Sequence, residues 1–396
     1  MLEWYDFALF GLMASLLSEK FFPHESPTAS LLQTFSAFAI GYFMRPLGGL
    51  LFGWVGDQLG RKRALELSVW LMVIPTVLMG LLPTYEDIGL AAPIMLVALR
   101  VVQGLSIGGE WVGAMVFLVE SAERKNRGAN ASWGLLTVSI GLLLGSAVAL
   151  IVSRVFGEAR YDAWAWRLPY ISGLVLGVFA VWTRAGMDES PAFEELVEAE
   201  QVAHHPVRTS FREAWRPILV MIGSVAVSTA SFTAFFVWAP THVMASDHLS
   251  QHDAMLSNTI GLLVLAALTP LGGQLSDRIG YVRLYRLMIA VLALAVVPLM
   301  ISIGESSFGR IVVGQVGFGL LLAFLQPSAV FADLFPPKLR ASAMGIGYNV
   351  PQAVLGGLTP LVCTWLFAKA GSMVAPGLLL VAVAVLSLST ATRLES

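Results

Sequence analysis

Long apolar runs recur along this chain at a spacing that leaves little room for anything else, and each is long enough to cross a lipid bilayer as a helix. About twelve can be counted, near 2–22, 31–55, 64–83, 93–120, 129–155, 167–186, 215–243, 254–275, 284–303, 307–332, 340–368 and 373–391. The hydrocarbon core offers no water to an open backbone, so runs of this length are predicted as helices. Charge supply points the same way. Only 13% of the 396 residues are charged and 57% are hydrophobic, whereas a soluble surface draws on about a quarter charged residues. The predicted fold class is an all-α polytopic membrane protein.

Basic residues sort the connections. Sixteen fall in alternate connections, among them Arg61, Lys62 and Arg63, then Arg124, Lys125 and Arg127, then Arg278, Arg283 and Arg286, then Lys338 and Arg340. The opposite connections hold six: Lys20, Arg154, Arg160, Arg167, Arg310 and Lys369. Because short loops rich in Lys and Arg stay cytoplasmic, both termini are predicted on the cytoplasmic side of the inner (plasma) membrane. The opening stretch carries Glu3 and Asp6 and lacks a basic n-region, so no cleavable signal peptide is expected. A net charge of −2 makes no electrostatic case for nucleic acid, and the single cysteine, Cys363, excludes an intrachain disulfide and a cysteine-cluster metal site.

The longest connection, about 187–214, divides the spans six and six. The expected organisation is an N-terminal bundle over 1–186, a cytoplasmic linker over 187–214 with a short amphipathic helix, and a C-terminal bundle over 215–396. Internal repeats support two related halves. Gly56-Asp57-Gln58-Leu59-Gly60-Arg61-Lys62-Arg63 matches Ser276-Asp277-Arg278-Ile279-Gly280-Tyr281-Val282-Arg283, and each follows a Pro-Leu-Gly-Gly, at 46–49 and 270–273. Glu120 and Arg127 match Asp333 and Arg340 at a common offset of 213. Matches in spans two and eight, and in four and ten, predict parallel pseudo-symmetric six-helix bundles related by an axis along the membrane normal.

These residues resemble the major facilitator superfamily and, within it, the metabolite:proton symporters, which include proline/betaine, α-ketoglutarate, shikimate and citrate carriers. The resemblance spans nearly the whole chain. It rests on Leu2-Glu3-Trp4-Tyr5-Asp6-Phe7, on Arg45-Pro46-Leu47-Gly48-Gly49 through Asp57 and Arg61, on Arg100-Val101-Val102-Gln103-Gly104 through Glu110, on Trp166-Arg167-Leu168-Pro169, and on Phe335-Pro336-Pro337-Lys338-Leu339-Arg340. Against that pattern the chain begins at or inside the first span, and Tyr281-Val282 replaces basic residues in the second loop copy, which implies a weaker latch there.

Ionisable groups inside a bilayer cost at least a few kcal/mol by insertion scales, which marks Asp6, Arg45, Arg100, Glu110 and Glu120 as functional candidates. Arg100 has no acid one turn away in its own helix, so its partner comes from another helix or from the substrate. The resemblance extends to sugar:proton symporters with an acid in the first span opposite an arginine in the fourth. It implies that Asp6 carries the proton and Arg100 controls its affinity, since an acid beside an arginine takes a proton more readily once the pair separates. Arg45, near mid-membrane, suits a substrate carboxylate; an equally open alternative is a structural partnership, for instance with Glu110.

Further candidates for the cavity lining are Gln103, Trp111, Ser231, Thr233, Trp238, His242, Gln326, Tyr348, Asn349 and Gln352. The resemblance implies a cytoplasmic gate from Asp57, Arg61, Glu120 and Arg127 with Asp277, Asp333 and Arg340. Closure excludes water there and strengthens pairing between helix ends. His248 and His252 lack a third soft ligand, so no metal site is predicted. No nucleophile with a base and no Walker-type sequence stands in the spans, so neither enzyme chemistry nor ATP is expected. The expectation is a monomeric secondary transporter without cofactors that moves a small organic acid or zwitterion with a proton, by alternating access and on a proton gradient. A proline/betaine-type osmolyte carrier or a non-transporting receptor on the same scaffold is the alternative.

Overall fold

The computed structural model describes residues 1–23, 26–58, 61–108, 111, 124–185, 212–245, 250–305, 307–325, 331, 334–335 and 337–394. Side chains of residues 50, 53–65, 124, 183–185, 245, 251 and 337–342 are outside that description. Every regular element among the described residues is helical. The first group comprises α1 (Leu2–Leu12), α2 (Ala14–Phe21), α3 (Pro27–Gln58), α4 (Arg61–Leu81), α5 (Ala91–Ile107), α6 (Arg127–Arg160) and α7 (Arg167–Ala185). The second comprises α8 (Trp215–Thr233), α9 (Ala239–Ala245), α10 (Gln251–Ile279), α11 (Tyr281–Ile303), α12 (Phe308–Phe324), α13 (Pro337–Pro351), α14 (Gly357–Ala370) and α15 (Val374–Ala391). Most of the linker, residues 187–211, lies outside the described residues.

Among the described residues six helices are long and apolar enough to cross a membrane, and four shorter apolar helices accompany them. Burial is inverted relative to a soluble protein. Leu294 is 82% exposed and Trp182 71%, while Arg45 and Arg100 are 1% exposed and Asp6 is fully buried. Apolar surface faces outward where lipid would lie, and the charge is inside.

Where described, the predicted spans agree with these helices to within a few residues, the far ends of 93–120 and 307–332 lying largely outside the described residues, but 2–22, 215–243 and 340–368 are expected to be continuous and are not. The first breaks at Met13, and short π-helical turns interrupt the other two at Ala234–Trp238 and Gln352–Gly356, while a third π turn, Tyr161–Ala165, falls in the predicted connection between 129–155 and 167–186. Each turn contains the residue four positions before a proline: Ala165 before Pro169, Phe236 before Pro240, Gly356 before Pro360. Proline lacks the N–H that would bond to that carbonyl, and its ring crowds it, so the ladder opens by one residue. Proline alone does not force the change, because Pro46, Pro75, Pro270 and Pro298 lie inside uninterrupted helices.

Two close crossings position the site. Gly104 and Gly108 of α5 bring its backbone onto α3, where an added Cβ at Gly104 would meet the Gly41 carbonyl oxygen and one at Gly108 the Arg45 carbonyl oxygen. Small residues allow that approach. The two groups of helices meet along α6 and α10: Gly273 packs on Gly128 and Ser132 at one end, and the Ser146 hydroxyl meets Thr259 and the Met255 carbonyl further along.

Candidate functional site

Asp6 lies on α1 and reaches across to α5. Its Oδ2 accepts from Arg100 Nη1 at 2.7 Å, and its Oδ1 accepts from Gln103 Nε2 at 2.9 Å. The Thr76 hydroxyl of α4 stands 3.0 Å from the same Oδ1 and 2.8 Å from the Met72 carbonyl, so its single proton serves one of them. Arg100 Nη1 also donates to Gln103 Oε1 at 2.8 Å, which closes a ring of polar contacts from three helices. Arg100 Nε and Nη2 are buried without hydrogen-bond partners among the described residues. Aromatic rings take their place: the guanidinium carbon lies 4.1 Å from the Phe10 centroid, 5.1 Å from Phe7 and 5.5 Å from Phe38.

A second ion pair stands on the other side of the Phe7 contact. Arg45 Nη2 of α3 meets Glu3 Oε1 of α1 at 3.2 Å. The sequence offered Glu110 as a structural partner for Arg45, but Glu110 lies outside the described residues and the contact seen is with Glu3. Glu3 went unassigned as a site residue because pairing across helices has no periodicity in the sequence. The available signal was its place three residues before Asp6 and four before Phe7, on the same helix face. Arg45 lies 4.1 Å from the Tyr42 centroid, 4.8 Å from Phe7 and 5.8 Å from Trp4, and its Nε is buried without a hydrogen-bond partner among the described residues. Phe7 therefore touches both guanidiniums.

The Arg45 region faces the second group of helices. Trp4 meets Phe232 edge-on at 5.8 Å, and Tyr42 packs against Gly356 and Gly357. Trp111 stacks on Tyr348 with centroids 4.0 Å apart, and the buried Trp111 Nε1 has no hydrogen-bond partner among the described residues. Asn349 Nδ2 donates to the Gly108 carbonyl at 2.8 Å. Of the sequence candidates, then, Asp6, Arg100 and Gln103 come together, and Arg45, Trp111, Tyr348 and Asn349 line the neighbouring junction. Trp238 is placed elsewhere: its indole N–H donates to Thr364 at 2.9 Å and its ring stacks on His242. Ser231 Oγ is buried without a partner, Thr233 bonds to its own helix, and Gln326 lies outside the described residues.

At the α6 end, Asp277 accepts from the backbone N–H groups of Gly128 and Ala129, both at 2.8 Å. An acid at a helix N-terminus, where free N–H groups and the dipole favour negative charge, is a stable link between the two groups. Arg127 opens the same helix. Glu120 and Asp333 lie outside the described residues, as do the side chains of Asp57, Arg61 and Arg340.

Comparison with known proteins places this arrangement in a family. A profile of the Major Facilitator Superfamily matches residues 1–348 and, in a second match, 220–394. The proline/betaine transporter of Escherichia coli (strain K12) is 31% identical over 409 residues, covering 100% of this chain and 81% of the relative. The shikimate transporter of the same strain is 33% identical over 406 residues, covering 99% of this chain and 91% of the relative. In fold, the chain superposes on the xylose transporter of E. coli in its partially occluded inward-open conformation with a TM-score of 0.78, at 16% identity, over 98% of this chain and 93% of the other. The chain belongs to the major facilitator superfamily and is a multi-pass membrane protein of that fold.

Proposed function

We propose that this chain is a proton-coupled symporter that imports a small carboxylate-bearing metabolite by alternating access. Asp6 carries the proton and Arg100 controls its affinity. The observation that carries this reading is the fully buried Asp6–Arg100 pair, 2.7 Å apart, in a protein whose relatives include the proline/betaine and shikimate transporters. In general, an acid beside an arginine gains a proton more easily once the two are separated in a dry site. Relative motion of α1 and α5 therefore converts a conformational change into a change of proton affinity. Arg45 binds the carboxylate of the substrate. The Asp277 contact with α6 belongs to a cytoplasmic gate, with the termini on that side.

The energy source is the proton gradient, with no cofactor. In liposomes containing the purified chain, an inside-alkaline gradient is expected to drive accumulation of L-proline, glycine betaine or shikimate above the external concentration, and collapse of the gradient is expected to abolish it. Uptake at an unchanged rate after collapse would refute symport.

A further inference from the structure

We infer that Glu3 is a substrate-binding residue and that the Glu3–Arg45 pair opens to clasp a zwitterion, with the substrate carboxylate on Arg45 and its cationic nitrogen beside Glu3. The inference deepens the transport reading above and rests on it.

Two features separate this pair from Asp6–Arg100. The Asp6 carboxylate already takes Arg100, Gln103 and the Thr76 hydroxyl, all from its own group of helices. Glu3 and Arg45 share a single 3.2 Å contact, on Nη2. Like Nε and Nη2 of Arg100, Arg45 Nε is buried and has no hydrogen-bond partner among the described residues. Nε and Nη2 form one edge of the planar fork, the edge that accepts a carboxylate through two parallel hydrogen bonds. A substrate carboxylate arriving there gains the orphaned Nε and displaces Glu3 from Nη2.

The location fits a ligand. Arg45 sits beside Tyr42, which packs on Gly356 across the junction, and the Tyr348 phenol is within electrostatic range of both Arg45 and Glu3. Trp111, stacked on Tyr348, adds a second buried donor without a partner among the described residues. Both groups of helices thus reach this pair, as alternating access requires of a substrate site.

Displacement decides the substrate class. A plain monoanion on Arg45 would take from the Glu3 carboxylate its paired arginine, leaving the amino terminus as the remaining cation near it, which is unfavourable in a junction shielded from water. A solute with both charges replaces each partner with its like: its carboxylate stands in for Glu3 at Arg45, and its cation stands in for Arg45 at Glu3. The aromatic rings at the pair, Trp4 and Phe7, favour a cationic head, including a quaternary one that cannot donate a hydrogen bond.

The test uses a matched pair of probes: glycine betaine, and 3,3-dimethylbutyrate, which has the same shape and carboxylate but carbon in place of the charged nitrogen. Equilibrium binding to the purified full chain, with no gradient, is measured for wild type and Glu3→Gln. Wild type is expected to prefer glycine betaine. In Glu3→Gln the ratio of the two affinities is expected to shift toward 3,3-dimethylbutyrate by at least about tenfold, with binding of the latter kept or strengthened, which also shows that the variant is folded. An unchanged ratio, a wild type that prefers 3,3-dimethylbutyrate or binds neither probe, or equal loss of both probes in the variant overturns the inference. Because no gradient is present, a failure here is separate from a failure of symport, which gradient-driven uptake alone reports.

Discussion

The Asp6–Arg100 pair is energetically asymmetric. Arg100 has lost water from three of its nitrogens' surroundings and regains one carboxylate, one amide oxygen and aromatic faces. Breaking such a pair by removing one partner costs about 3–5 kcal/mol because the other charge stays buried alone. Arg100→Leu is therefore expected to lower the unfolding free energy in mixed micelles by that amount, and adding Asp6→Asn is expected to recover more than half of the loss. A double variant no more stable than Arg100→Leu would show that the two charges are not coupled. At this scale the sequence was partly legible. Asp6, Arg45 and Arg100 stand out because charge in an apolar run is costly, but the Asp6–Arg100 partnership came from family resemblance. The Glu3–Arg45 partnership was not legible, since forty-two residues separate the two and the sequence carries no signal of cross-helix contact.

Helix crossings place these residues in register. Arg100 lies one turn before Gly104, and Arg45 lies one turn after Gly41, so the α3–α5 contact sets the positions of both arginines. A Cβ at Gly104 would collide with the Gly41 carbonyl and come within 2.7 Å of Met44 Cβ. Gly104→Val is expected to cost about 1–3 kcal/mol and to reduce transport per folded molecule, because the helices must separate. Gly309→Ala in α12, with open space around it, is the control and is expected to stay within about 0.5 kcal/mol of wild type. Equal effects of the two substitutions, measured by thermal unfolding and uptake, would contradict the packing account. Gly104 and Gly108 have the small-xxx-small spacing that lets helix backbones approach, a local sequence feature consistent with this crossing. The π turns before Pro169, Pro240 and Pro360 went unread because other prolines in this chain sit in unbroken helices.

In the whole molecule the charges divide by place: basic residues mark the predicted cytoplasmic connections, two arginines lie within, and each is met by an acid from α1. α1 therefore carries both the proposed proton site and the proposed substrate site, with Phe7 in contact with both arginines. A shift of this one helix changes both pairs, which supplies a physical route for coupling. The span count and the duplication were legible because hydropathy and repeated motifs are local in sequence. Much of the expected gate remained outside the described residues, and Asp277 is the member whose contact with the other group of helices is seen. The most direct measurement of the central claim compares two transport modes of Asp6→Asn in the same liposomes, using glycine betaine. The account predicts that exchange of internal for external solute continues while accumulation driven by an inside-alkaline gradient falls to equilibrium. Full gradient-driven accumulation by Asp6→Asn would contradict it.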